Sequence, residues 1–104
     1  MNVVFIDRDG TLIVEPPDEQ IDTLGKLEFI PGIIRGLQLL VGRGYELVMV
    51  SNQDYLGSAG YPQEAFDIVQ QKILGLLAGE GIHFSQIYVC PHGPSEGCAC
   101  RKPQ

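Results

Sequence analysis

An α/β fold built on a parallel sheet is predicted by three observations. Short apolar runs rich in β-branched residues alternate with segments of helical periodicity. The runs are apolar throughout rather than every second residue, as strands covered on both faces require. The connections between them are long enough to be helical crossovers. With 104 residues, 44% of them hydrophobic, the chain suffices for one small domain that buries roughly two-thirds of its unfolded surface.

The first run, NVVFID over residues 2–7, reads as a strand buried on both faces. Pro31 is placed for a first helical turn, with Ile33, Ile34, Leu37, Leu40 and Val41 at helical spacing and Gly44 as C-cap. ELVMVS, residues 46–51, follows as a second buried strand. Pro62 opens a second helix whose apolar stripe is Phe66, Val69, Ile73 and Leu77, ended by the Gly79 to Gly81 region. IYVC, residues 87–90, is the third strand. Such crossovers are right-handed and place helices on both faces, which predicts a Rossmann-like three-layer α/β/α parallel sheet. Residues 8–30 and 52–61 are the long irregular segments, and no repeat or low-complexity tract occurs.

Composition narrows the function. Thirteen acidic against 7 basic residues give a formal charge of -6. With no basic run, an electrostatic nucleic-acid footprint is excluded and a small soluble substrate is expected. No apolar run approaches the ~20 residues of a membrane span, and the N-terminus lacks the pattern of a signal peptide, so a cytoplasmic location is expected.

In parallel sheets ligands bind beyond the carboxyl ends of the strands. Asp7, Asp9 and the Gly10-Thr11 turn fall there, as do Ser51 and Asn52. A single aspartate at a strand end serves as a turn former or N-cap. Two at i and i+2 of an extended segment project the same way, and their repulsion is relieved only by a nearby cation or by protonation of one. Magnesium with a phosphate ester supplies that cation, since Mg²⁺ is held by one or two carboxylates plus substrate oxygens.

A second constellation lies near the C-terminus. Cys90, His92, Cys98 and Cys100 form two i, i+2 pairs joined by a short loop, a set that can close a tetrahedral structural Zn²⁺ site. Free thiols, or one disulfide with a spare cysteine, are the competing readings. His83, beside Phe84, reads as a surface or capping histidine.

DRDGT after a buried strand, Ser-Asn closing the second strand and Lys102 after the third resemble the haloacid-dehalogenase (HAD) phosphatase superfamily. Within it, FIDRDGTLIVEPP, KLEFIPG, SNQDYLG and CPHGPSEGCACRKP are similar to the histidinol-phosphatase family and, somewhat less, to the heptose-bisphosphate phosphatases. The resemblance implies Mg²⁺-dependent hydrolysis of a small phosphorylated metabolite, histidinol phosphate in histidine biosynthesis. Asp7 is then the nucleophile and Asp9 the general acid/base. The Asp7 carboxylate and the Asp9 carbonyl bind Mg²⁺, while Ser51, Asn52 and Lys102 hold the phosphoryl oxygens. A structural zinc would pin the loop that carries Lys102. Glu15 and Gln53 are candidate substrate contacts or, equally, solvated loop residues.

The family pattern continues past the lysine motif with a fourth strand, an acidic pair that completes the Mg²⁺ site, and usually a fifth strand. The sequence stops at Gln104. Residues 1–104 are therefore expected to be the N-terminal part of a single HAD-like domain. The edge of strand 2–7 is left apolar and unpaired, open to self-association or to a complementing segment. Three readings follow: part of a longer phosphatase, a zinc-binding remnant without turnover, or a half-domain completed by another chain.

Overall fold

The structure, a computed structural model, describes residues 2–17, 21–53 and 56–90. Three parallel strands, β1 (Asn2–Asp7), β2 (Tyr45–Asn52) and β3 (Phe84–Cys90), form a sheet of order β1-β2-β3. Helix α1 (Ile33–Gly42) joins the first pair and α2 (Gln63–Gly79) the second. A 3-10 turn at Leu24–Lys26 interrupts the loop after β1.

The apolar periodicity explains both helices. Leu37 of α1 and Val69, Ile73 and Leu77 of α2 are buried in one cluster with Ile6, Leu47 and Met49 of the sheet. Burying each such side chain contributes roughly 1.5–3 kcal/mol. Val4, Ile6, Leu47 and Met49 share a sheet face by register. Gln38 of α1 reaches the carbonyl of Glu80, just past α2, over 3.2 Å. The helices are thus neighbours on one side. The predicted parallel α/β fold is present, and the described residues supply its sheet and one helical layer. With the strand order rising steadily, right-handed crossovers put consecutive helices on the same face.

That arrangement corrects the burial expected for the first strand. Only Ile6 of β1 is buried, whereas Val3 and Phe5 are 43% and 69% exposed. Among the described residues β1 is an edge strand, and the helices cover one face of it. The central strand β2, by contrast, buries Leu47, Val48 and Met49 in succession.

The boundaries shift at three places. α1 begins at Ile33 rather than at Pro31, because Gly32 adopts φ 83° at the N-cap and turns the extended segment into the helix. Its other end follows expectation: Gly44, at φ 87°, donates its N–H to the carbonyl of Val41. β2 gains one residue at each end, Tyr45 and Asn52. β3 begins at Phe84 rather than Ile87. Its polar start, Ser85 and Gln86, hides the strand from an apolar-run criterion, and a register shift opposite Leu47 and Val48 accommodates the extra residue. His83 is exposed between α2 and β3.

Candidate functional site

The chain leaves β1 through a tight turn. The carbonyl of Arg8 accepts the N–H groups of Leu12 (2.9 Å) and Ile13 (3.1 Å), and Gly10, at φ 89°, donates to Ile13 (2.7 Å). Only a residue free of Cβ adopts that conformation cheaply. Residues 12–14 then lie along 28–30, through Val14 N–H to Glu28 (2.7 Å) and Ile30 N–H to Leu12 (3.0 Å). This pairing fixes the loop over the end of the sheet and brings Glu15 to the site.

Asp7 stands opposite Val50 in the register, so the ends of β1 and β2 are level. Between them lies a small cavity of about 150 Å³, lined by Asp7, Arg8, Asp9, Glu15, Val50, Ser51 and Asn52. Of the residues read from the sequence as functional, five therefore share one concavity: Asp7, Asp9, Glu15, Ser51 and Asn52. Lys102, His92, Cys98 and Cys100 lie outside the described residues. Cys90 ends β3, is 2% exposed and is disulfide-bonded. That agrees with the competing reading of a disulfide with a spare cysteine and opposes a zinc thiolate at Cys90. Its carbonyl accepts the backbone N–H of Gln53 over 2.8 Å, which ties the end of β3 to the segment following β2.

Gln53 is buried, 1% exposed, and its amide is engaged on every side. Nε2 donates to Asp9 Oδ2 at 2.9 Å and to Ser51 Oγ at 2.6 Å, while Oε1 accepts the hydroxyl of Tyr61 at 2.8 Å. On the other side of Asp9, Arg8 Nε donates to Oδ1 at 2.6 Å. Arg8 itself is fully buried and passes a second bond, from Nη1 to Gln70 Oε1, at 2.9 Å. Its guanidinium carbon lies 4.8 Å from the centre of the Phe66 ring, a cation–π arrangement. Burial pushes the Tyr61 phenol above its ordinary pKa; the charge of Arg8 opposes the shift and that of Asp9 adds to it.

Arg8, Tyr61 and Gln70 have no sequence motif to announce them. The one available signal is an arginine tethered between two aspartates after a buried strand.

The donors fit Mg²⁺ with a phosphate. They are hard oxygens in a polar concavity, and the Asp7 carboxylate lines it. Both Asp9 carboxylate oxygens already accept hydrogen bonds, which favours its backbone carbonyl as the ligand. Among the described residues no group of three or more His, Cys, Asp or Glu side chains is placed to hold a metal. Substrate oxygens and further donors would have to complete the shell.

No family model matches the chain. It is 52% identical over 103 residues to the histidine biosynthesis bifunctional protein HisB of Campylobacter jejuni, covering 98% of this chain and 29% of that protein. The corresponding HisB protein of Legionella pneumophila is 44% identical over 102 residues, with 98% and 29% covered. The chain thus spans under a third of the length of these relatives. Among solved structures, the D,D-heptose 1,7-bisphosphate phosphatase of B. bronchiseptica, complexed with magnesium and phosphate, superposes with a TM-score of 0.88 at 28% identity. That match covers 99% of this chain and 57% of the other. With two aspartates leaving β1 as DRDGT, these likenesses show that the chain is homologous to part of the HisB proteins and has the fold of the HAD-like phosphatases.

Proposed function

We propose that the chain carries the nucleophile half of a Mg²⁺-dependent phosphomonoester hydrolase acting on histidinol phosphate in histidine biosynthesis. One observation carries the reading: the two aspartates after β1 and the Ser-Asn pair ending β2 line a single polar cavity of about 150 Å³. The sequence relatives, named for histidine biosynthesis, support the pathway. The structural neighbour, a heptose-bisphosphate phosphatase, keeps that sugar phosphate as the second substrate to test.

Each residue's part follows from its chemistry. The Asp7 carboxylate attacks phosphorus, the bond to the substrate alkoxide breaks, and an aspartyl-phosphate forms. Asp9 gives its proton to the departing alkoxide and then takes one from the water that attacks the same phosphorus, releasing phosphate and restoring Asp7. Ser51 accepts from Gln53, which leaves its O–H to donate to a phosphoryl oxygen. Asn52 and Lys102 add donors to the other oxygens. Mg²⁺, when bound by the Asp7 carboxylate and the Asp9 carbonyl, neutralises charge on the phosphoryl group. Glu15, on the rim, offers a carboxylate to the amine of the substrate.

Cys90, His92, Cys98 and Cys100 constitute, in this reading, a structural Zn²⁺ site that places Lys102 at the phosphate. Four N/S ligands at two i, i+2 spacings support it, and the disulfide at Cys90 stands against it. No helix among the described residues is long and apolar enough to cross a membrane, which agrees with cytoplasmic action on a metabolite. The residues 1–104 form a single HAD-like unit whose β1 edge takes a complementing segment or a second copy.

The test is phosphate release by the 104-residue chain with Mg²⁺, offered histidinol phosphate and D,D-heptose 1,7-bisphosphate in parallel. Preference for the first is expected, and Asp7→Asn should abolish release. Preference for the second reassigns the substrate, and release that survives Asp7→Asn overturns the mechanism. Metal analysis of protein purified under reducing conditions should find one Zn²⁺ per chain, lost in Cys98→Ser. Zinc-free protein of unchanged stability overturns the zinc site.

A further inference from the structure

The residue between the two aspartates is the least economical feature of the site. A fully buried guanidinium is costly to desolvate, and apolar residues of similar size stabilise such positions as well or better. Arg8 nevertheless lies wholly inside, with Nη2 lacking a hydrogen-bond partner among the described residues. Its strongest interaction is the 2.6 Å charge-assisted bond from Nε to Asp9 Oδ1. The opposite oxygen, Oδ2, receives the neutral amide of Gln53.

We propose that Arg8 and Gln53 are positioning residues that hold the Asp9 carboxyl in one orientation and divide its two oxygens by role. This rests on the phosphatase reading above. Oδ1, which receives the charged Nε–H of Arg8, is kept as an acceptor. The transferable proton is thereby assigned to Oδ2, on the side where Gln53 also binds Ser51. One lone pair of Oδ2 accepts from the amide and the other carries the proton that passes to the leaving alkoxide, which departs as the alcohol. Because the same amide bonds Ser51 Oγ at 2.6 Å, acid and phosphate donor keep a common reference. Gln70 and Phe66 of α2 seat the guanidinium, and Tyr61 seats Gln53, so the hold on Asp9 is anchored in the core.

The consequence is selective for leaving group. An alkyl phosphate expels a basic alkoxide and needs the acid; p-nitrophenyl phosphate expels a stable phenolate and needs it little. In Arg8→Met, kcat/KM should fall about 100-fold or more for an alkyl phosphate, the order of a general-acid contribution, and only a few-fold for p-nitrophenyl phosphate. Arg8→Lys, which retains charge but not the fork, should fall between. Equal losses on both substrates would show a merely structural role and overturn the proposal. A readout on the wild-type chain does not depend on turnover. The Arg8 Nε–Hε NMR signal should exchange far more slowly than that of the exposed Arg35, and lose that protection in Asp9→Ala. Rapid exchange in the wild type overturns the hold on Asp9. If the wild type cleaves neither substrate, the phosphatase reading fails, and slow Nε–Hε exchange still supports the hold.

Discussion

Replacing Gln53 with glutamate changes one heavy atom and removes the donor of two hydrogen bonds, to Asp9 and to Ser51. In the wild type, Nε2 of this buried residue donates to Asp9 Oδ2 at 2.9 Å. In Gln53→Glu an anionic oxygen stands at that distance, and two unit charges so close repel by about 6 kcal/mol at an effective dielectric of 20. Arg8, bonded to the other Asp9 oxygen, offsets part of this. About 3–5 kcal/mol of net destabilisation is expected, a large share of the ~5–15 kcal/mol available to a domain. The pair can escape by sharing a proton. The folded state then binds a proton that the unfolded chain, with Glu near its ordinary pKa of about 4.3, has released. Where the folded state holds more protons, stability falls as pH rises. The deficit of Gln53→Glu against wild type should therefore be small at about pH 4 and grow to its full value by about pH 8. Urea denaturation of both proteins at the two pH values measures it. Tyr61 can still donate to a glutamate oxygen, so that contact does not confound the result. A deficit equal at both pH values would refute the reasoning, since it would mean that no charge meets Asp9.

The core, the phenol and the sheet edge give further tests. Ile73→Ala, at a fully buried position shared by both helices and the sheet, should cost about 2–5 kcal/mol in urea denaturation. Tyr61 has its pKa raised above 10.0, chiefly by burial. The unfolded chain therefore loses the phenolic proton first, and stability should decline as pH rises past about 10 toward the folded value. Titrating tyrosinate absorbance should show one of the 4 tyrosines ionising late, a phase absent in Tyr61→Phe. Phe5 is 69% exposed on the edge strand, and an apolar edge invites pairing. Sedimentation should show association that rises with concentration and weakens in Phe5→Lys; an unchanged distribution removes the edge as its cause.

The parts of the fold legible in the sequence are those encoded by neighbours along the chain. β1 carries its expected bounds because NVVFID is a single apolar run closed by a charge. The stripe Phe66, Val69, Ile73 and Leu77 marks the buried face of α2 because residues three and four apart share a helix face. The start of β3 was hidden, since Ser85 and Gln86 contribute to the ladder through backbone groups that any side chain leaves intact.

The site divides in the same way. Asp7, Asp9, Ser51 and Asn52 were readable because each sits at or just past a strand's carboxyl end, and parallel strands in register bring those ends together. What holds Asp9 was not readable. Gln53 lies 44 positions from Asp9, and Gln70 lies 62 from Arg8. No local pattern records such distances. By itself the sequence determined the chemical groups available and the end of the sheet at which they meet. Only tertiary packing decided that Arg8 turns inward, that Gln53 faces Asp9 and Ser51, and that β1 is exposed on its outer face. Those outcomes depend on which surfaces the helices cover, and burial converts an ordinary arginine and glutamine into fixed partners of a carboxylate by removing the water that would otherwise compete for them.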